Sequence, residues 1–385
     1  MRYDAIVIGA GIAGSCIAHF LAENKLKVLV IEKEKIACGA SGAAGAFLSP
    51  MMGRGRLVDF VNNSLIFALK FYKNIAADLL IDNGALRIVK SVEDRDQFFI
   101  DSRNSVLENS ILENGVFFKE AGVIEAVKIC ERLLSNCDVI EKTKANAPKY
   151  INNEWIVNDK FSAKILIASI GFYEPILPVW WLNMRGVWGE RLKIKPDFKI
   201  DHNYMGDVAI SATFADGAAA IGATHKRAKN DWEIDQRAKQ DLLQKASDLI
   251  PQISNVKVLE IKGGMRPASI DYFPIAGNII NAHKTLAEFP EFPRGGHIKE
   301  NEFSRYKNLF IFSAHGGRGF VTAPLTAKFL RDIILYGKSE LKINQNLLNP
   351  DRFFLRNFRR NLLLSSHEIL AQNKPLEAQN DRQYN

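Results

Sequence analysis

Cysteine is scarce in this chain: among 385 residues there are four, Cys16, Cys38, Cys130 and Cys137. None falls at CxxC spacing or beside a histidine. That pattern argues against a disulfide framework and a thiolate metal site, and leaves reduced thiols packed as small apolar groups. Long hydrophobic runs are also lacking. No uninterrupted apolar stretch approaches the roughly 20 residues needed to cross a bilayer, so no membrane partner is expected. The apolar segment from Ala5 to Gly14 imitates a signal peptide, but Asp4 interrupts it and charges return at Glu23, Lys25 and Lys27. With no small-residue cleavage site after it, the segment reads as a buried strand entering a glycine turn, and the expected location is cytoplasmic. No internal repeat is visible. Neither sign of charge dominates: 51 Lys and Arg against 43 Asp and Glu leave +8, which permits a polyanionic partner without requiring one.

What is present is an ordinary globular composition, 47% hydrophobic and 24% charged, in 43.2 kDa. A chain of this size exceeds one compact core, so two packed domains are expected. Tyr3 to Ile8 reads as a central parallel strand. Gly9-Ala10-Gly11-Ile12-Ala13-Gly14 is a GxGxxG turn set before a helix, from Ala13 to Asn24, with Ile17, Phe20 and Leu21 on one face. Gly9 permits the turn, Gly11 lets a pyrophosphate reach the backbone, and Gly14 lets helix and strand pack; the helix N-terminus then faces the phosphates. A second strand, Lys27 to Glu32, ends on a carboxylate 18 residues after Gly14, where it suits ribose hydroxyls. The order strand, turn, helix, strand, acid points to a dinucleotide. The small-residue loop Gly39-Ala40-Ser41-Gly42-Ala43-Ala44-Gly45 lies beyond the acid; it suits backbone contact with a pyrophosphate and flavin ring, or else is a flexible linker.

Further along, the pattern predicts a long amphipathic helix from Val58 to Leu80, a strand from Leu86 to Lys90 and a helix from Gly122 to Leu134. Strands are expected at Trp155 to Val157, Lys164 to Ile170, Val208 to Phe214, Ala218 to Thr224 and Leu309 to Ala314, with Asp216-Gly217 as a hairpin turn. Helices are expected from Asp231 to Leu249 and from Ala323 to Leu335, the latter entered through Pro324. Ala282 to Asn308 reads as an exposed insertion, and the tail beyond Ser366 as frayed.

The fingerprint, the small-residue loop, Gly171 after a strand, and the late loop His315-Gly316-Gly317-Arg318-Gly319 resemble the D-amino-acid oxidase superfamily, which includes glycine oxidase. Met184-Arg185-Gly186-Val187-Trp188-Gly189, Ile221 to Arg227, Gly264-Met265-Arg266-Pro267, Asp271 to Gly277, Thr322 to Leu325 and Asn349 to Phe353 resemble more specifically the FAD domain of the bifunctional tRNA-modifying MnmC enzymes. Gly317 and Ala43 depart from the residues common there. The resemblance implies an α/β fold with a Rossmann-like FAD domain and a sheet-based substrate domain. It implies noncovalent FAD, since no cysteine lies near the Arg318 loop. The implied cofactor neighbours are Gly9 to Gly14, Glu32, Lys33, Gly39, Ala40, Ser41, Gly42, Ala145, Gly171, Gly317, Gly319, Phe320 and Val321.

Arg266 and Arg318 stand in glycine-flanked loops without an obvious helical partner, and a guanidinium offers a planar fork to a carboxylate. The resemblance makes them a clamp on the substrate carboxylate; the alternative is a salt bridge to a neighbour such as Asp271. Tyr272 and His315 are candidates to line the site or tune the amine, or else are packing residues. Trp180-Trp181 suits core packing or base stacking. The basic segment Arg352 to Arg360, interleaved with Phe353, Phe354 and Phe358, suits phosphate contact or a solvated helix face.

The expected architecture is an FAD-binding unit from 1–80, 120–175 and 305–345, a substrate unit from 81–119 and 176–304, and a C-terminal basic helix and tail from 346–385. The function that the resemblance implies is oxidation of the glycine-like arm of 5-carboxymethylaminomethyl-uridine at the tRNA wobble position. That implies the tRNA anticodon loop as partner and a separate methyltransferase acting on the product. A free glycine or secondary-amine oxidase is the alternative, and a non-catalytic flavin-bound RNA-binding protein a more distant one.

Overall fold

Five parallel strands carry the N-terminal glycine turn. In spatial order they are Asp138–Ile140, Val28–Ile31, Arg2–Ile8, Phe161–Ala168 and Arg305–Ser313, with Ile275–Ile280 antiparallel at the edge. The computed structural model describes every residue except 90–91, 173–175, 178, 183, 228–231, 293–295 and 360–385. Strand residues alternate between two cores, as a period of two requires. Ala5, Val7, Val28 and Val30 pack with the helices Ile12–Glu23, Arg56–Ala76 and Gly319–Tyr336. Ile6, Ile8, Leu29 and Ile31 pack on the opposite face with Trp181, Phe353 and Phe354. Burying each large aliphatic side chain contributes about 1.5–3 kcal/mol, so both faces must stay covered.

A second, nine-stranded sheet draws on 85–118 and 184–269. Its longest pair is Met184–Lys195 against Lys257–Ser269, antiparallel, with Lys226–Arg227 and Ala219–Gly222 on the far side of the former. Phe47–Leu48, Leu80–Ile81 and Gly122–Ile124 form a third, small sheet.

Several sequence expectations are corrected. Gly122 to Leu134 is not one helix: Gly122–Ile124 pairs as a strand and only Ala126–Leu133 is helical. The apolar run Val123-Ile124 fits either period, and the pairing partners lie far away in sequence. The long helix ends at Ala76, and a 3-10 turn feeds the strand Leu80–Ile81. Within 208–214 only Ala209–Ile210 is strand. The helix expected from Asp231 begins at Gln236 behind an Asp235 cap, and Asp231 itself lies outside the described residues. Ala282 to Asn308 is not an exposed insertion. Ala282–Glu288 is a helix, and Phe292, Ile298, Phe303 and Tyr306 are buried in the second core. With Ile275–Ile280, this stretch pairs and packs with the first sheet, although 176–304 was expected in the other unit.

Pro324 does not open its helix but lies inside Gly319–Tyr336. Proline has no N–H to give the carbonyl four residues back. That carbonyl belongs to Phe320, and the fully buried Tyr72 hydroxyl donates to it at 2.9 Å.

Candidate active site

The C-terminal ends of parallel strands in an open α/β sheet form a crevice, because the chain leaves them toward opposite faces. Here all five ends meet one cavity of about 1250 Å³, solvent at its mouth included. Ile8 and Gly9 follow the first strand, Ile31 to Lys33 the second, Thr143 to Ala145 the edge strand, Ser169 to Gly171 the fourth, and Ser313 to Gly317 the last.

The glycine turn is built as its spacing requires. Gly9 sits at φ +104, and a Cβ there would lie 2.5 Å from the Ser169 carbonyl oxygen. A Cβ on Gly14 would lie 1.9 Å from the Gly9 carbonyl oxygen. At Gly11 the nearest atom to such a Cβ is Ser41 Oγ, at 3.1 Å, so its side faces the cavity rather than backbone. The first-turn N–H groups of the helix Ile12–Glu23 have no carbonyl partner within the helix, which leaves an anion-binding end there. Glu32, 7% exposed, accepts from the Ala10 N–H at 2.8 Å and the Glu34 N–H at 3.1 Å. Those bonds fix the carboxylate against the turn at the cavity wall.

The loop after Glu32 is a wedge rather than a linker. Ala40–Ala43 forms one helical turn, and Ser41 Oγ accepts from the Ile12 N–H at 2.9 Å. Gly264 of the strand Lys257–Ser269 lies so close that a Cβ would meet Ala40 Cα at 2.8 Å and Ala43 Cβ at 2.9 Å. Arg191 donates to the carbonyls of Ala43 and Gly42. Only small residues fit between the two sheets here.

Of the expected cofactor neighbours, Gly9, Gly11, Ile12, Ala13, Glu32, Lys33, Gly39, Ala40, Ser41, Ala145, Gly171, Gly317, Gly319 and Phe320 line the cavity. Ala10, Gly14, Gly42 and Val321 stand behind the lining. The wall also contains Met265, Pro267, Ser313 and Ala314, which were not among the expected site residues, although Met265 and Pro267 flank Arg266 in its motif. Strand-end position was the signal for the last two. A cradle of close backbone, an open helix N-terminus and an anchored acid fits a dinucleotide.

Arg266 lines the same cavity, and its burial lowers its pKa to about 10. Its Nη1 donates to the Thr224 carbonyl at 3.4 Å and lies 3.2 Å from His225 Nδ1. Asp271 is not its partner: Arg352 holds that carboxylate at 2.8 and 3.2 Å. Arg266 has no carboxylate partner among the described residues. Arg318 does not line the cavity; it is mostly buried, with its pKa lowered first by burial and then by Arg87. His225 is held below its ordinary pKa by burial and then by Arg266, Arg227 and Arg318. Of these groups only Arg266 lines the cavity.

His315 lines the cavity from its buried turn, and burial pushes its pKa down to about 3. Thr322 Oγ1 donates to the Arg318 carbonyl at 3.1 Å, so the His315 Nδ1–H is the donor in the 2.8 Å contact with Thr322. Nε2 is then an unprotonated acceptor, buried without a protein partner. Tyr272, by contrast, is exposed and outside the lining.

Two sequence readings concerning nucleic acid meet structural partners. Trp181 is fully buried and Trp180 packs on the same core. Phe353 and Phe354 are buried, and Arg352 spends its donors on Asp271 and on the carbonyls of Leu348, Asn349, Phe273 and Pro274. Arg352 is thus a half-buried structural cation, its donors taken within the fold rather than offered to phosphate. Arg360 lies outside the described residues, as does the tail beyond Ser366.

Comparison with known proteins agrees with this geometry. The bifunctional protein MnmC of Legionella pneumophila (strain Corby), named for tRNA 5-methylaminomethyl-2-thiouridine biosynthesis, is 26% identical over 362 residues, covering 86% of this chain and 54% of the relative. Its counterpart in Campylobacter fetus is 28% identical over 386 residues, covering 94% and 61%. The chain therefore spans little more than half the length of these curated relatives. Glycine oxidase from Geobacillus kaustophilus superposes with a TM-score of 0.73 at 19% identity, covering 88% of this chain and 96% of that one. Iminodiacetate oxidase from a Chelativorans species gives 0.71 at 16% identity, covering 90% and 98%. The FAD dependent oxidoreductase (DAO) family model matches residues 4–333, and with the strand-end cavity and its glycine cradle this makes the chain a member of that FAD-dependent oxidoreductase family.

Proposed function

We propose that this protein oxidises the carboxymethylamino arm of 5-carboxymethylaminomethyl-uridine in the tRNA wobble position to 5-aminomethyl-uridine, releasing glyoxylate. The observation that carries the reading is Arg266, a cavity-lining, mostly buried guanidinium with no carboxylate partner among the described residues. Such a cation is stabilised by an anionic ligand, and a charge-assisted bidentate contact suits a carboxylate. The chemistry that FAD supplies when bound is acceptance of a hydride from carbon. The chain's residues would then bind the N–CH2–COO⁻ unit through its carboxylate, orient its CH2, and exclude water. Burial, and then the surrounding guanidiniums, hold His225 below its ordinary pKa, which leaves Arg266 as the cation offered to substrate. Loss of the hydride and the amine proton leaves an imine, which water cleaves to the primary amine and glyoxylate. That amine would be substrate for a separate methyl-transferring enzyme.

The names of the curated relatives support a tRNA substrate, and the net charge of +8 suits one. The fold shared with glycine oxidase favours a second reading, oxidation of free glycine or a small secondary amine. The test is anaerobic reduction of the bound flavin, with glyoxylate release, on tRNA bearing the carboxymethylaminomethyl group beside glycine and N-methylglycine. Reduction by the tRNA is expected. Fast turnover of the free amino acids with none on the tRNA overturns the proposal in favour of the second reading.

A further inference from the structure

Tyr272 lies outside the cavity, and 56% of it is exposed. Its backbone is at φ +66, a conformation that costs a non-glycine residue roughly 1–2 kcal/mol, so its neighbours impose it. Asp271 Oδ1 accepts from the Phe273 N–H at 3.3 Å, Arg352 clamps Asp271, and Phe273 is buried. The turn is thereby held with its ring outward.

The guanidinium carbon of Arg185 lies 4.5 Å from the centre of that ring. Strand register brings further cations beside it. Val187 stands opposite both Arg266 and Arg227, and Arg185 stands opposite Ala268 on the same strands. A period of two therefore puts Arg185, Arg227 and Arg266 on one face of the sheet. Arg185, then Arg227, holds the Tyr272 phenol below its ordinary pKa. Neither arginine has a carboxylate partner among the described residues. Arg185 and Arg227 share the sheet face that carries Arg266, which lines the cavity.

An acidic peptide would use the cations but gain little from a fixed, outward aromatic ring. A single-stranded nucleic-acid loop uses both, stacking a base on the ring and placing phosphates on the guanidiniums. We propose that Tyr272, Arg185 and Arg227 form a rim platform that stacks one base of a single-stranded RNA loop and binds its adjacent phosphates, beside the nucleotide whose side arm enters the cavity. This rests on the tRNA reading above.

The test uses the flavin-loaded protein with an anticodon stem-loop carrying 5-carboxymethylaminomethyl-uridine, and with N-methylglycine, which has no base to stack. Tyr272→Ala is expected to raise KM for the stem-loop roughly tenfold relative to its effect on N-methylglycine. Tyr272→Phe should restore the stem-loop KM, because the ring face and not the hydroxyl does the stacking. Arg185→Gln and Arg227→Gln should each lower the salt dependence of stem-loop binding, in log K against log salt, by about 1. Wild-type protein that acts on the stem-loop while Tyr272→Ala changes KM equally for both substrates overturns the platform alone. Wild-type protein inactive on the stem-loop overturns the tRNA reading, and the platform with it.

Discussion

The Arg266 guanidinium packs against Gly189 of the neighbouring strand, so closely that a Cβ at 189 would stand 1.9 Å from Nη2 and 2.3 Å from Cζ. The missing side chain is what gives the guanidinium its place at the cavity. Gly189→Ala should therefore displace Arg266 without touching the cofactor cradle. Expected is a loss of substrate affinity close to that of Arg266→Ala, about 1.5–3 kcal/mol for a charged hydrogen-bonded contact. Flavin content should be unchanged. Rapid-scan titration of anaerobic flavin reduction against substrate concentration checks this; a Gly189→Ala enzyme with wild-type affinity would show the cation is held by something else.

The second and third glycines of the turn should fail differently. Gly14→Ala places a methyl 1.9 Å from backbone oxygen and should destabilise the protein by about 1–3 kcal/mol with or without flavin. Gly11→Val meets only Ser41 Oγ and open cavity, so the apoprotein should melt near wild type while flavin binding is lost. Flavin absorbance after purification and thermal melts of both apoproteins separate the two.

Tyr72→Phe removes the one donor that replaces the Pro324 N–H on the Phe320 carbonyl. A buried acceptor left unsatisfied costs about 1–3 kcal/mol. Denaturant unfolding should show that loss in the midpoint. Adding Pro324→Ala to Tyr72→Phe restores a backbone donor and should recover part of it.

His315 predicts a stability change with pH. Its native pKa is near 3 against an ordinary 6.5, so between these values the unfolded chain binds the extra proton. Stability therefore rises with pH through this window and falls as the solution is acidified from about 6.5 toward 3. His19, His202, His225 and His283 are lowered too and add slope of the same sign. The difference between wild type and His315→Asn isolates one histidine: the variant's unfolding free energy should depend less on pH across this range. Parallel curves would contradict the assignment.

Arg352→Glu is expected to unfold the protein rather than weaken RNA contact. It would set two carboxylates together and take the Arg352 donor from the Phe273 and Pro274 carbonyls, and each buried acceptor left unsatisfied costs about 1–3 kcal/mol. Loss of soluble protein, or a melt depressed by ten degrees or so, would bear this out.

The glycine turn and Glu32 were legible because their chemistry is local: the whole logic of strand, turn, helix and acid fits within residues 2–32. The strand ends at Gly171 and His315 were legible from the same pattern of an apolar run stopping at small residues. Arg352 was misleading because the partner that defines it, Asp271, lies 81 positions away. Likewise, nothing near Gly189 announces that it makes room for Arg266; that depends on strand register. Val123-Ile124 and the buried aromatics of 282–308 had to wait for the strands and helices that cover them. Flanking charge and proline gave no sign of that cover.

The helix that begins at the glycine turn packs against the helix Gly319–Tyr336, and Gly319 comes so near that a Cβ would meet the Ile12 side chain at 3.0 Å. These helices stand almost at opposite ends of the described chain. At about 5–20 residues per second of synthesis, roughly 15–60 s separate their emergence from the ribosome. Through that interval the first helix lacks the part of its native cover that Gly319–Tyr336 supplies, and the cavity lacks its last wall. The nascent chain thus cannot complete its cofactor cradle until the segment through Phe320 has been made, which sets flavin capture later than the synthesis of the glycine turn by that interval.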